Sequence, residues 1–393
     1  MAVTGQNTAH GAAGVSTAAL AADPHPRLAA LRASSLVTWV PAVGGWMVTG
    51  YESAVAVMRD PAGFTVDDPR FTTARVIGPS MLSLDGAAHA AHRDPFTGPF
   101  RPRAVHGSFA GLVERESALL LDALAPDGGA ELRRGFAGPL AAVVMAEALG
   151  LRDVPVADIL GWYDAIVRAV DTLTRGGDPG DAGGAAYGAL RAAVAGTLDA
   201  GRDDSLLVRA AAGGALDTTA VASNAAVLLF GGIETTEGMI ANALLHILTT
   251  PGTAELLAAE PGLLDGVIEE SLRMEPGAAV VDRYAARDTE LAGGGIAAGD
   301  LVVVSLAGAN RDPAVFPDPD RFDPRRANAR SHLTFAHGPH YCLGAHLARL
   351  ETRVALRACL ERLPSLRLAD PEASAPYGLV FRKPARLDAR WDV

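Results

Sequence analysis

Cysteine and lysine are both scarce in this chain of 393 residues. The only cysteines, Cys342 and Cys359, form no CxxC pair, which excludes a disulfide framework and a paired-thiolate zinc site and points to a reducing compartment. Lys383 is the only lysine, and the net charge is −11. An acidic chain does not favour the phosphate backbone, so no nucleic acid partner is expected.

Long apolar runs are also missing. The longest, residues 221–248, is interrupted by Glu234 and Glu237, so it is not a membrane span. The first residues lack the basic segment and apolar core of a secretory signal. We therefore predict a cytoplasmic protein with no membrane segment.

The composition is that of a globular protein, with 49% hydrophobic and 20% charged residues. The pattern predicts a loose tail over residues 1–25 and one domain over residues 26–393, mainly α with small β-sheets. The predicted elements are a hairpin at 36–40 and 46–49, helices at 51–59, 139–149, 156–173, 217–249, 262–273 and 343–363, and strands at 280–284, 290–291 and 301–305. Residues 63–85 are predicted to form a long irregular loop.

The segment from Phe335 to Gly344 carries the main chemical signal. Cys342 lies between a turn-rich loop and a predicted helix, where backbone N–H groups favour a thiolate. Gly338 and Gly344 allow the backbone to approach a flat ligand closely. One thiolate without neighbouring cysteines or paired histidines suits a metal whose other ligands come from a cofactor, as in haem. Cys359 lies among leucines in a predicted helix and is interpreted as an inert core residue.

A second signal lies inside the long predicted helix. Gly231 and Gly232 each cost about 1 kcal/mol relative to alanine in a helix interior, so we expect them to permit close approach or local distortion. Thr235 is placed to bond back to the carbonyl of Gly231 and open a groove beside the helix. Glu234, next to it, is a candidate proton relay. The alternative is a satisfied buried threonine and a surface glutamate.

Together these residues resemble the cytochrome P-450 family of haem-thiolate monooxygenases. The helix segment is similar to the family's Ala-Gly-x-Asp/Glu-Thr-Thr/Ser motif, with Gly231 in the alanine position. Ala336 stands where the family usually has glycine, which is tolerated if its φ is negative. The cysteine loop matches the family spacing at Phe335, Gly338, His340, Cys342 and Gly344.

The resemblance implies a triangular helical prism around heme b, with Cys342 as the axial ligand and metal ligand. It implies that Thr235 and Glu234 deliver protons to oxygen. It also implies that cations meet the haem propionates, and the candidates are His89, Arg93, Arg283 and His340. A structural ion triad is implied for Glu270, Arg273 and Arg321, with Arg325 as the rival third member.

The implied activity is insertion of one oxygen atom of O2 into an apolar organic substrate in natural-product biosynthesis. Electrons would come from an external ferredoxin and ferredoxin reductase, and the protein would be a monomer. Arg101, Arg103, Arg349 and Arg353 are candidates for a basic docking patch, against the alternative of ordinary surface arginines. Two other readings stay open: a haem enzyme with different chemistry (a peroxygenase, a coupling catalyst or an isomerase) and a non-catalytic member that supports a partner.

Overall fold

The computed structural model describes residues 14–201 and 205–393. These residues separate into two compact units that interleave along the chain. The first unit contains the residues up to Val66, Ala241–Cys342 and Asp370–Ala385, and the second contains Asp67–Ile240, Leu343–Ala369 and Arg386–Val393. One domain over residues 26–393 stays a prediction.

The structure is mainly helical, as the sequence predicted. The helices are α1 (Thr17–Ala22), α2 (His25–Ser34), α3 (Tyr51–Arg59), α4 (Thr72–Ile77), α5 (Gly86–Thr97), α6 (Pro102–Leu124), α7 (Gly138–Leu149), α8 (Val156–Thr174), α9 (Ala182–Ala200), α10 (Leu206–Ala212), α11 (Thr218–Thr249), α12 (Thr253–Ala259), α13 (Leu264–Met274), α14 (Leu306–Ala309) and α15 (Ala345–Arg362). A π-helical turn, Arg133–Ala137, precedes α7. No helix in the described ranges is long and apolar enough to cross a membrane.

The strands are short. They are β1 (Val37–Val40), β2 (Gly45–Val48), β3 (Phe64–Thr65), β4 (Gly129–Glu131), β5 (Val280–Ala285), β6 (Thr289–Leu291), β7 (Gly294–Ile296), β8 (Leu301–Ser305), β9 (Arg367–Leu368), β10 (Pro376–Tyr377), β11 (Lys383–Pro384) and β12 (Asp388–Arg390). The predicted hairpin is present, with Val37 opposite Val48. The predicted loop at 63–85 contains β3 and α4, which are too short to give a clear periodic signal.

The first unit is built around a five-stranded sheet in the order β1-β2-β8-β5-β3. Strands β2 and β8 run parallel, and the other neighbours are antiparallel. Along β8, Val302 and Val304 enter one buried cluster and Val303 enters another. Because successive side chains point to opposite faces, an unbroken run of valines shows that both faces of this sheet are covered.

The second unit is held together by helix packing. Helix α6 packs on α15, and α8 packs on α9. The buried residues of α8 include Ile159, Tyr163, Ile166 and Val170, which follow the helical repeat. A three-stranded sheet, in the order β4-β12-β9, completes the unit.

The prediction of a loose tail over residues 1–25 is wrong for the C-terminal part of that segment. Helix α1 lies within it, and Leu20 and Ala21 are buried. The carbonyl of Ala21 accepts hydrogen bonds from the Arg382 guanidinium at 2.6 Å and from the Gly378 N–H at 2.9 Å. These contacts reach residues far along the chain, which a local reading cannot detect. Residues 1–13 lie outside the described residues.

Candidate functional site

Residues Phe335–Cys342 of the cysteine loop lie in the first unit, and this part of the loop is closed by its own backbone. The N–H of Cys342 donates to the carbonyl of Phe335 at 2.8 Å, and Phe335 is buried. A 3-10 turn, Gly338–His340, lies between them. The loop therefore holds the half-buried Cys342 thiol in a defined position.

Two residues of this loop have left-handed backbone conformations. Gly338 has φ +72°, and a Cβ there would lie 2.3 Å from the carbonyl oxygen of Met58, so only glycine fits. Ala336 has φ 58°, so the condition of a negative φ, under which alanine is tolerated here, is not met. The tight return of the chain toward Phe335 imposes this conformation, at a cost of about 1–2 kcal/mol for a residue with a Cβ.

His337 fixes the loop against α3, and sequence reasoning did not single it out. Its Nδ1 accepts the Gly338 N–H at 2.7 Å, and the Arg59 Nη2 lies 3.2 Å from its Nε2. Burial, followed by the charge of Arg59, lowers the pKa of His337. The neutral ring is therefore favoured, which keeps Nδ1 available as an acceptor.

Arg283 lies on β5, in the same unit as the loop, and is buried with 5% of its surface exposed. Its Nη1 donates to the carbonyl of Asp282 at 2.7 Å. Burial raises the pKa of Asp282 to about 6, although the charge of Arg283 opposes this shift. His340 is half-buried at the end of the 3-10 turn.

The glycine and threonine segment of α11 lies in the second unit. The Thr235 hydroxyl donates to the carbonyl of Gly231 at 2.6 Å, the bond that the sequence predicted. A Cβ on Gly232 would meet the side chain of Met145, whereas a Cβ on Gly231 would have no heavy atom of the described residues within 4 Å apart from its chain neighbours and the backbone of its own helix. Gly232 therefore permits a close approach, and Gly231 is not constrained in this way.

Glu234 is buried, so the alternative of a surface glutamate is wrong. It accepts a hydrogen bond from the hydroxyl of Tyr163 on α8. Glu237, one turn further along α11, is also buried and binds Arg133. Tyr163 and Glu237 were not identified as site residues from the sequence, because the phenol reaches the carboxylates from a helix about seventy positions away.

His89 and Arg93 lie one turn apart on α5, as their spacing required. His89 is 7% exposed and Arg93 is half-buried. The structure thus brings together His89 with Arg93 and Glu234 with Thr235 in the second unit. The loop and Arg283 belong to the first.

The ion triad is present with a different third member. Arg273 Nε and Nη2 each donate to Glu270 at 2.8 Å, and all of these groups are buried. Arg326 Nε lies 3.0 Å from Glu270 Oε1, so Arg326 takes the place predicted for Arg321. Arg321 contributes its backbone carbonyl to Arg273 and Arg326, while Arg325 binds Glu260. The irregular coil before Arg326 hides this pairing from any spacing rule.

The helix that follows the loop contains two buried ionisable side chains. Burial raises the pKa of the Cys359 thiol, which agrees with an inert core cysteine. Burial also raises the pKa of Glu351 well above its ordinary value. The Glu351 Oε2 atom is buried and has no hydrogen-bond partner among the described residues. Burial therefore favours the neutral acid form of Glu351.

The described residues offer no cluster of side chains that could bind a metal ion by themselves. Within residues 14–201 and 205–393, no group of three His, Cys, Asp or Glu side chains could hold a metal ion. A mostly helical fold with one half-buried thiol in a turn-closed loop fits a metal held chiefly by a cofactor. The fold and the loop together define the class of haem-thiolate proteins.

Comparison with known proteins identifies the family. The cytochrome P450 family model matches residues 200–367. The chain is 38% identical over 367 residues to the cytochrome P450 monooxygenase PikC of Streptomyces venezuelae, covering 88% of this chain and 86% of PikC. It is 35% identical over 363 residues to the 20-oxo-5-O-mycaminosyltylactone 23-monooxygenase of Streptomyces fradiae, covering 88% and 84%. The solved structure of CxnD, described as a P450 enzyme for C–S bond formation in chuangxinmycin biosynthesis, superposes with a TM-score of 0.85 at 30% identity, covering 95% of this chain and 97% of CxnD.

The chain therefore belongs to the cytochrome P450 family. The predictions of a P450 fold, a P450 monooxygenase class of enzyme and haem with a cysteine thiolate ligand are confirmed. Members of this family act on small molecules with O2 and receive electrons from redox partners. The described residues fit the cofactor, because the loop offers one thiolate beside a glycine that no larger residue can replace, and Arg283 supplies a buried cation.

Proposed function

We propose that this protein is a cytoplasmic, monomeric monooxygenase that inserts one oxygen atom of O2 into an apolar organic substrate of natural-product biosynthesis. The observation that carries the proposal is the backbone-closed loop that presents Cys342. The relatives support the substrate class, since one is named for a mycaminosyltylactone and another for chuangxinmycin biosynthesis.

Cys342 is the residue we assign as the axial ligand. Cys359, the other cysteine, is fully buried in α15, where no planar ligand has access. When bound, heme b supplies the iron at which O2 is activated, with electron density from the thiolate favouring O–O cleavage. Phe335, Gly338 and Gly344 shape the loop around the ligand. His89, Arg93, Arg283 and His340 are assigned to the two propionates, because histidine and arginine donors suit carboxylates.

Proton delivery is assigned to Thr235 and Glu234 on α11. The Thr235 hydroxyl donates to the Gly231 carbonyl, which fixes the direction of its oxygen lone pairs. In that orientation Thr235 accepts a hydrogen bond from a water and holds it in place. Gly231 leaves room beside the helix, Gly232 admits the Met145 side chain, and Glu234 supplies the proton.

Electrons are proposed to come from a ferredoxin with its reductase. A negatively charged carrier would be attracted by cations on α6 and α15, which pack together in the second unit. We assign this role to Arg101, Arg103, Arg349 and Arg353. Reduction by an acidic ferredoxin should slow as salt is added, and a rate independent of ionic strength would remove this assignment.

The carbon monoxide complex of the reduced protein tests the ligand assignment. We expect the red-shifted Soret band of a thiolate-bound haem in the wild type, and its loss in Cys342→Ala. Cys359→Ala is the matched control, because it removes the other thiol and should keep the band. A wild-type protein without the band, or a Cys342→Ala variant that retains it, would overturn the proposal.

A second candidate reaction is oxidative bond formation without hydroxylation. The similarity to CxnD, a P450 enzyme described as forming a C–S bond, supports this second candidate. Incubation with 18O2 and a substrate found by its haem spin-state shift separates the two. Labelled oxygen in the product supports hydroxylation, whereas a coupled product without the label supports the alternative.

A further inference from the structure

A buried acid, phenol and acid lie together in the second unit. Glu234 is 4% exposed, Tyr163 is 1% exposed and Glu237 is fully buried. The Tyr163 hydroxyl donates to Glu234 Oε2 and lies 3.3 Å from Glu237 Oε2. Because Glu234 and Glu237 are one turn apart on α11, both carboxyl groups reach the same phenol oxygen.

The two carboxyl groups differ in their other contacts. Glu237 Oε1 lies 3.2 Å from Arg133 Nη1 and 3.6 Å from Arg134 Nε. Arg134 also donates to Asp164 at 2.7 Å, and the side chains of Arg134 and Asp164 are 37% and 30% exposed. The cluster thus extends from buried Glu234, through Tyr163 and Glu237, to charged groups that solvent reaches.

The phenol has one proton and two carboxyl neighbours. It can donate to only one carboxylate at a time, and its oxygen can accept a proton from the other when that group is an acid. Burial, and then the charges of Glu234 and Glu237, raise the pKa of Tyr163 far above its ordinary value. A phenolate is therefore disfavoured, and any transfer through Tyr163 must deliver one proton as another arrives.

We propose that Tyr163 positions Glu234 and passes protons to it from Glu237. Glu237 first takes up a proton from the solvent that reaches the Arg134 and Asp164 end of the cluster. The O–H bond of the Glu237 acid then breaks as a new O–H bond forms on the phenol oxygen. The original phenol O–H bond breaks at the same time, and its proton binds Glu234 Oε2. Tyr163 is neutral before and after, Glu237 becomes a carboxylate beside Arg133 and Arg134, and Glu234 becomes the acid. The inference rests on the proposed function, because it refills the glutamate assigned to proton delivery.

The test compares Tyr163→Phe with Tyr187→Phe in the haem-loaded protein. Tyr187 is a suitable control because its hydroxyl also binds a side chain of α11, Ser223, at 2.7 Å, and binds no carboxylate of the described residues. We expect Tyr163→Phe to lower substrate turnover about tenfold or more and to raise the solvent isotope effect, since loss of a proton-transfer group costs this much. The substrate dissociation constant, read from the haem spin state, should stay within about twofold. Tyr187→Phe should behave as the wild type.

Infrared spectra recorded against pH provide a readout that does not depend on turnover. The carbonyl band of the Glu234 acid, assigned by its loss in Glu234→Gln, should change frequency and midpoint in Tyr163→Phe and not in Tyr187→Phe. Glu237→Gln keeps the shape of the cluster but holds no acidic proton, so it should slow turnover as Tyr163→Phe does. This second variant decides the question if Tyr163→Phe does not bind haem.

The possible failures are distinguishable. A missing thiolate band in the wild type contradicts the proposed function, and full turnover in Glu234→Gln contradicts its proton role. If Glu234→Gln is slow while Tyr163→Phe and Glu237→Gln keep wild-type turnover and the Tyr163→Phe spectrum is unchanged, the relay through Tyr163 is wrong and the proposed function stands.

Discussion

Gly232 on α11 lies against the Met145 side chain on α7. A Cβ on Gly232 would stand 2.4 Å from Met145 Sδ and 2.6 Å from its Cγ, inside contact distance. Gly231 is the preceding residue, yet a Cβ built there has no heavy atom of the described residues within 4 Å apart from its chain neighbours and the backbone of its own helix. Two adjacent glycines in one helix therefore have different packing constraints.

This difference predicts opposite effects on stability. Gly231→Ala should raise the free energy of unfolding by about 1 kcal/mol, because alanine favours the helix and its Cβ meets no side chain of the described residues. Gly232→Ala should lower it by about 1–3 kcal/mol, because Met145 must move. Chemical unfolding of the haem-loaded variants measures both values, and equal tolerance of the two alanines would contradict the packing argument.

Ala336 offers a second stability test. Its φ of 58° is strained for a residue with a Cβ, so Ala336→Gly should stabilise the protein by about 0.5–1 kcal/mol after the added entropy of the unfolded chain is counted. Gly338→Ala is the opposing control, because its Cβ would strike the carbonyl of Met58. We expect the Soret band of the carbon monoxide complex to be lost at a lower denaturant concentration in Gly338→Ala and a higher one in Ala336→Gly. Loss of the band at a lower denaturant concentration in Ala336→Gly than in the wild type would contradict the inference that the backbone of Ala336 is strained.

The corrected ion triad predicts a contrast between two arginines. Arg326→Ala leaves a buried carboxylate at Glu270 with one cation fewer, and breaking such a network costs about 3–5 kcal/mol. Arg321 is exposed and contributes only its backbone carbonyl to the triad, so Arg321→Ala should cost less than about 0.5 kcal/mol. Thermal unfolding compares the two variants, and an equal loss in both would return Arg321 to the triad.

His246 predicts how stability depends on pH. Its ring stacks on Phe322 at 4.9 Å and its Nδ1 lies 2.9 Å from the Ser271 hydroxyl. Burial lowers the pKa of His246 from 6.5 to about 4. Between these values His246 binds a proton in the unfolded chain and not in the folded chain, so the contribution of this group to stability falls by about 1.4 kcal/mol per unit as pH decreases.

The variant His246→Asn lacks this group, so its stability relative to the wild type should rise as pH decreases from 6.5 to 4. His106 is exposed on α6, and His106→Asn should keep the wild-type slope. The measurement is the denaturation midpoint by circular dichroism at a series of pH values. If the denaturation midpoint changes with pH in the same way for the wild type and His246→Asn, a group other than His246 controls stability in acid.

Local patterns accounted for much of the fold. Helix α3 has its predicted bounds, and α11 begins one residue after its predicted start, because apolar periodicity and breakers such as Pro251 define both ends. The pattern failed at α1, which is short and is held by Arg382 from the other end of the chain. Strand β3 has two residues and gives no period to detect.

In the candidate site too, contacts within one helical turn could be predicted, whereas contacts between distant segments could not. The Thr235 bond to Gly231 spans a single helical turn and could be predicted from spacing. Arg326 and Tyr163 reach Glu270 and Glu234 from distant segments of the chain. Which residue pairs with each carboxylate depends on tertiary packing, which no sequence motif encodes. The sign of φ at Ala336 also depends on how the loop closes, and the types of the neighbouring residues do not determine that closure.

Glu351 makes folding a proton-consuming reaction. Above the ordinary pKa of glutamate the unfolded chain carries a carboxylate at this position, whereas the buried side chain in α15 stays an acid until a much higher pH. One proton is therefore taken from the medium as the native state forms, and in this window alkali works against folding. A weakly buffered refolding mixture near neutral pH should turn more alkaline for the wild type than for Glu351→Gln as the protein regains its structure.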